Sequence, residues 1–231
     1  MITQVVILAA GLGTRLGKPW PKALTPLIDG RSILYHQIEN IRATFKSNER
    51  IFIVVGFKFE MIMEAHPDVA YIYNETFDQT NTSKSLLKAL KNTHDTGVLW
   101  LNGDVVFDPR VLERVKGLIE IEQSFVCVNT ANVGEEEVKY TVDNKGNIKQ
   151  LSKKVENALG EAVGINFISK RDKSALIHHL TTCQADDYFE RGIELAIEHA
   201  KVEIRPVDIS DFFAIEIDFP GDLERANLNV K

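Results

Sequence analysis

"LAAGLGTRLGKPWPKAL", residues 8–24, closes an apolar run and puts three glycines, one arginine and two lysines into one short stretch. A glycine-rich turn directly after a strand lets backbone N–H groups approach phosphate oxygens with no Cβ in the way. The spacing excludes a P-loop, since GxxxxGK[ST] is absent. Gly11-Leu12-Gly13-Thr14-Arg15-Leu16 puts leucine where a dinucleotide-binding GxGxxG fingerprint has its third glycine. The second strand ends "IVVGF", with no acid to hold a ribose hydroxyl, which argues against hydride transfer. Arg15 and Lys22 add two mobile cations to the turn, a combination that suits a triphosphate whose charge is neutralised while it is cleaved.

Outward from this stretch, apolar runs alternate with helical patterns. "QVVILAA" (4–10), "IFIVV" (51–55), "VAYIY" (69–73) and "VLWLNGD" (98–104) read as strands apolar on both faces, as buried parallel strands are. Between them, 32–45 and 82–93 carry helical spacing, with Ser32 and Thr82 as expected N-caps. The order β-α-β-α predicts an α/β fold: a three-layer, doubly wound, mostly parallel sheet with its ligands at the carboxyl ends of the strands. From about Gly134, "EEEVKYTVDNKGNIKQLSKKV" reads as a small antiparallel hairpin insertion. A strand at 160–169, helices at 170–182 and 185–200 and two closing strands follow. "NETFDQTN" (74–81) reads as a loop at the carboxyl edge. One domain is expected over 1–231, with a nucleotide-binding half to about 133 and an acceptor-binding half beyond it.

The 231 residues are 44% hydrophobic and 26% charged with a net charge of −6, which argues against a general nucleic-acid binder while leaving room for a local anion site. Cys127 and Cys183 lie far apart without CxxC spacing and read as core residues in a reducing compartment. No apolar run approaches the ~20 residues of a membrane span, so a cytoplasmic protein with no membrane partner is expected.

"LAAGLGTRL" followed by "PKAL", with "NGD" at 102–104 and "EID" at 216–218, resembles the sugar-nucleotidyltransferase superfamily. Its members join a nucleoside triphosphate to a phosphorylated small molecule and release pyrophosphate on a Rossmann-like fold. The stretches "YNETFDQTNTSKSL" and "EIDFPGDL" are most similar to the small cytidylyltransferases that activate phosphocholine, inositol phosphate or phosphonates. The resemblance implies CTP and a small phosphorylated or phosphonate acceptor as partners. Two alternatives stay open: a sugar-1-phosphate nucleotidyltransferase using UTP, dTTP or GTP, and a catalytically silent nucleotide-binding relative.

In that reading Gly11, Gly13 and Thr14 hold the triphosphate through backbone amides, Arg15 meets the departing phosphates, and Lys22 stabilises charge at the α-phosphorus. Asp104 stands at a strand end as a ligand of Mg²⁺, which takes one or two carboxylates together with phosphate oxygens and waters. Glu216 and Asp218, two residues apart, would share one face of a regular strand, and either could complete the metal site. Arg15, Lys22 and Asp104 are thus the catalytic candidates. Asp108 reads as the cap of the next helix. The base is expected beside Leu8, Ala9 and Ala10, read by Gln79, Asn81, Thr82 and Ser83. For the acceptor, Lys139 and Lys153 or Lys154 are candidates for its anion, with Glu161 and Asn166 on the same wall. Asp187, Tyr188 and Glu190 suit an acceptor bearing a cationic amine. The acceptor's own oxygen is ionised at neutral pH, so no histidine is nominated as a base.

Overall fold

The computed structural model describes residues 3–131, 133–134 and 137–230. The chain opens with β1 (Thr3–Ala9), α1 (Ile33–Phe45), β2 (Glu49–Val55), α2 (Phe59–Ala65), β3 (Ala70–Tyr73), α3 (Thr82–Asn92) and β4 (Val98–Asn102). β1 pairs in parallel with β2 and β4, and β2 with β3, so the intervening helices are crossovers and their strand-to-helix turns gather at one edge. There follow β5 (Val105–Phe107), α4 (Arg110–Glu120), β6 (Phe125–Asn129), the hairpin β7 (Lys139–Val142) and β8 (Ile148–Ser152), and β9 (Gly160–Ile168). The chain closes with α5 (Lys170–Thr182), α6 (Phe189–Ala200), β10 (Arg205–Asp208), β11 (Ala214–Glu216) and α7 (Pro220–Asn227). The main sheet runs β10-β6-β9-β4-β1-β2-β3, with β9 antiparallel to β4 and β6 and the hairpin attached through β7 to β9. Residues 135 and 136, where the sequence reading starts the hairpin's first strand, lie outside the described residues.

Strand alternation divides the core between the two faces of this sheet. Val5, Ile7 and Ala9 pack with Leu34, Ile38 and Ile41 of α1 and Val111, Leu112 and Val115 of α4. Val6 and Leu8 point the other way, into the cluster formed by α3, α5 and α6. There Trp100 meets Phe189 edge-on with ring centroids 5.6 Å apart. This is the expected three-layer α/β arrangement. A third cluster joins Leu16, Leu27 and Ile33 to Val106 of β5, Ile217 and Ala226. Leu16 is the residue that breaks the dinucleotide fingerprint, and its burial ties the glycine loop to the small antiparallel β5–β11 sheet.

Several local expectations change. β3 is the sheet edge, and of its residues only Ile72 is buried. The α3 cap is Asn81, whose side chain accepts from Thr82 N at 2.8 Å, one residue before the expected Thr82. α6 starts at Phe189, so Asp186 and Asp187 precede it and do not sit in its first turn. The short elements α2, β5 and β6 were not foreseen. Ser32 caps α1 as expected, accepting from Tyr35 N at 3.1 Å; the N-cap of α4 is Pro109, one residue after the expected Asp108, whose Oδ1 accepts from Arg110 N at 2.9 Å. Both cysteines are buried and free, and burial pushes the Cys127 thiol up. Among the described residues no helix is long and apolar enough to cross a membrane.

Candidate functional site

The glycine loop leaves β1 through Ala10 and turns at Gly13, which is left-handed with φ 61°. A Cβ built on Gly13 would lie 2.9 Å from Lys22 Cβ, so this close approach brings the 3-10 turn Lys22–Leu24 against the loop. Gly13→Ala therefore combines a left-handed alanine, costing about 1–2 kcal/mol, with displacement of Lys22. A lowered thermal midpoint is the expected result, and an unchanged one would remove the strain from the account.

Asp104 follows β4 in a turn held on three sides. Gly103 N donates to Leu8 O at 2.9 Å, and Ile217 N donates to Asp104 O at 3.0 Å. Gln37 Nε2, from the buried face of α1, donates to Asn102 O and Val105 O, both at 2.8 Å. The antiparallel β5–β11 pairing, with Glu216 opposite Val105, then carries Glu216 and Asp218 to Asp104. Asp218 is steadied by Asp222, whose Oδ2 accepts from the amides of Asp218 at 3.0 Å and Phe219 at 2.7 Å.

Charged groups meet here. Lys22 Nζ donates to Asp104 Oδ2 at 2.6 Å and to Asp218 Oδ1 at 2.5 Å, while Arg15 Nη1 donates to Asp218 Oδ2 at 2.7 Å. Burial alone would lower the Lys22 ammonium, but Asp104 and Asp218 outweigh it and hold its pKa above the ordinary value. Burial likewise opposes ionisation of Asp218, and Lys22 with Arg15 reverses this and holds its pKa down. The Asp104 charge first, and burial second, push the Glu216 carboxyl well above the usual range. Asp104 Oδ1 is buried and has no hydrogen-bond partner among the described residues.

These groups line a cleft of about 950 Å³. Of the residues singled out in the sequence, Leu8, Ala9, Gly11, Gly13, Thr14, Arg15, Lys22, Asn81, Thr82, Asp104, Lys153, Glu161, Tyr188, Glu190, Glu216 and Asp218 border it. Six others and Lys154 do not. Ala10 is buried behind the wall, its carbonyl accepting from Phe57 N at 3.2 Å. Gln79 is exposed on the loop outside the cleft. Ser83 is fully buried in the first turn of α3. Asn166 is buried in β9 between Trp100 and Val126. Lys139 lies on β7, paired with Ser152 and Glu161, outside the lining. Asp187 closes a turn by accepting from Gln184 N at 2.7 Å.

Other site-building residues were missed. Gln37 is one, and its signal was a lone amide on the apolar stripe of α1. Asn74 is another: fully buried, it donates to Thr80 and Ser85 and accepts from Thr76, stitching the 74–81 loop together. Glu137, Phe219 and Asp222 also border the cleft. Thr82 Oγ1 accepts from Phe189 N at 3.1 Å and Asn81 Nδ2 donates to Asp186 O at 3.2 Å, so these side chains join α3 to the approach to α6. Among the described residues no group of three or more His, Cys, Asp or Glu is arranged to enclose a metal ion, and Lys22 stands between two of the carboxylates.

Residues 5–181 match the family of MobA-like NTP transferase domains. The chain is 29% identical, over 97% of its length, to the CMP-5'-(3-aminopropyl)phosphonate synthase of Streptomyces rubellomurinus, and spans 38% of that longer protein. Among solved structures, the inositol-1-phosphate CTP transferase from T. maritima superposes with a TM-score of 0.77 at 15% identity, covering 100% of this chain and 98% of the other. The CTP:phosphocholine cytidylyltransferase from Streptococcus pneumoniae superposes with a TM-score of 0.75 at 17% identity, covering both chains fully at 100%. At these identities the two structures bear on the fold.

Proposed function

Because the chain belongs to the family of MobA-like NTP transferase domains, we propose that it transfers CMP from CTP to the phosphate or phosphonate oxygen of a small acceptor and releases pyrophosphate. The observation that carries this reading is the Lys22 ammonium between Asp104 and Asp218, with Arg15 beside it, against a glycine turn in one cleft. The cytidylyltransferase character of the relatives supports cytosine as the base.

The acceptor oxygen attacks the α-phosphorus, a new P–O bond forms, and the bond to the β-phosphate oxygen breaks with its electron pair leaving on pyrophosphate. Both reactants are anions, so the barrier falls chiefly through positioning and charge neutralisation. Gly11 to Thr14 border the triphosphate path, Arg15 takes the departing phosphates, and Lys22 leaves its carboxylates to meet the α-phosphoryl oxygens. The ionised acceptor needs no general base.

Mg²⁺ belongs to this proposal. Asp104, with its unpartnered Oδ1, and Glu216 or Asp218 are the oxygen donors that would hold it. The Asp104 charge pushes the Glu216 carboxyl well above its usual range, a mark of concentrated negative charge that a divalent cation would balance. Bound there, Mg²⁺ would supply charge neutralisation at the phosphates.

The test offers each of CTP, UTP, GTP, ATP and dTTP with Mg²⁺ and a mixture of phosphonate, phosphocholine, inositol phosphate and hexose-1-phosphate acceptors, following pyrophosphate. Release with CTP, abolished by a chelator and restored by Mg²⁺, is expected. Release with another base alone overturns the cytidylyl assignment, and silence with all five overturns the transferase reading.

A further inference from the structure

Glu190 is a cleft-lining carboxylate that the reaction above leaves without work. It is the second residue of α6 and only 7% exposed, and its Oε2 has no hydrogen-bond partner among the described residues. Burying a carboxylate oxygen unpartnered is costly, and at the wall of a cleft a ligand can supply the missing donor. Burial pushes this carboxyl up to about 7. The charges of Lys153 and Glu194 act on it, whereas those of Asp104 and Asp218 act on Lys22.

The surroundings share one character. Glu137 and Glu161 border the same cleft, Glu161 Oε2 accepting from Gly134 N at 2.8 Å. Burial first, and the Glu161 charge second, push the Glu137 carboxyl up. Against these three carboxyls stands Lys153, whose Nζ lies 5.1 Å from the centroid of the Tyr188 ring. A cation already rests on this aromatic face, and the wall around it is acidic.

We propose that the acceptor is a zwitterion, its phosphonate or phosphate directed to Lys153 and the α-phosphorus and a distal ammonium bearing N–H bonds received by Glu190 beside Tyr188. This rests on the transferase reading above. The unpartnered Oε2 selects the kind of cation. A primary ammonium brings both the charge that the acidic wall lacks and a donor for that oxygen. A trimethylammonium brings charge without a donor, and a hydroxyl brings a donor without charge. Glu190, and not the turn-closing Asp187, is the determinant.

The experiment compares matched acceptors with CTP and Mg²⁺ on the full chain: 2-aminoethylphosphonate against 2-hydroxyethylphosphonate, and phosphoethanolamine against phosphocholine, reading kcat/KM from pyrophosphate release. The amine of each pair is expected to be favoured by about 30-fold or more. Glu190→Gln, close in size, is expected to raise KM for 2-aminoethylphosphonate at least about 10-fold. It should leave KM for CTP unchanged, which also reports that the variant is folded. Equal or better use of the hydroxyl or trimethylammonium partner, or turnover only with inositol phosphate or a hexose phosphate, overturns this inference and leaves the transferase reading standing. An equal loss with both members of a pair in Glu190→Gln overturns the assignment to Glu190. Pyrophosphate release with none of the acceptors overturns the transferase reading and this inference with it.

Discussion

Lys22→Ala is expected to lower kcat by about 10³-fold, close to 4 kcal/mol of transition-state stabilisation, with the protein still folded. The size follows from position. Lys22 donates to both Asp104 and Asp218 and its side chain is only 14% exposed, so its charge acts where water screens little. Arg15 cannot replace it, because among the described residues the carboxylate it pairs with is Asp218 and not Asp104, and it is about half exposed. Lys22→Arg is expected to rescue poorly, since a planar fork cannot occupy the place of a compact ammonium between two carboxylates. Steady-state kinetics decide the matter: a loss below about 10-fold would remove Lys22 from the transition state.

Asp104→Asn is expected to lower turnover by about 10²-fold or more while leaving nucleotide binding measurable. It removes the carboxylate that positions Lys22 and whose buried Oδ1 has no partner among the described residues. It also has a signature outside catalysis. Glu216 is held well above its ordinary value of 4.5 chiefly by the Asp104 charge. The folded protein therefore binds a proton there more tightly than the unfolded chain does, and its stability falls as pH rises from 4.5 through the raised value. In Asp104→Asn the Glu216 midpoint is expected to move down and that fall to shrink. Carboxyl-carbon NMR titration with denaturation at several pH values reads both. An unmoved Glu216 midpoint would show that burial, not Asp104, holds the proton.

The fold and one edge of the site were legible because they are written locally. Strands apolar on both faces alternating with helical stripes permit few arrangements besides a covered parallel sheet. A glycine turn after the first strand and an "NGD" after the fourth must then fall on the carboxyl edge. Gly11, Gly13, Arg15, Lys22 and Asp104 needed no long-range information beyond that.

The other half of the site depends on contacts far apart in sequence. Strand spacing alone put Glu216 and Asp218 on one face, yet β11 ends at Glu216, and what carries both to Asp104 is its pairing with the three-residue β5, more than 100 residues earlier. On β9, residue type suggested both Glu161 and Asn166. They lie five residues apart, so strand alternation sends their side chains to opposite faces: Glu161 borders the cleft and Asn166 is buried in the sheet. Asp187 and Glu190 were equal as carboxylates. The start of α6 at Phe189 made one a turn closer and buried the other beside the cleft. Sequence by itself determined which groups were available and on which edge the first of them would stand, because strand and turn preferences act over a few residues. Which carboxylate keeps an unpartnered oxygen and which becomes core was decided by the tertiary structure, because burial and partnership are properties of packed surfaces.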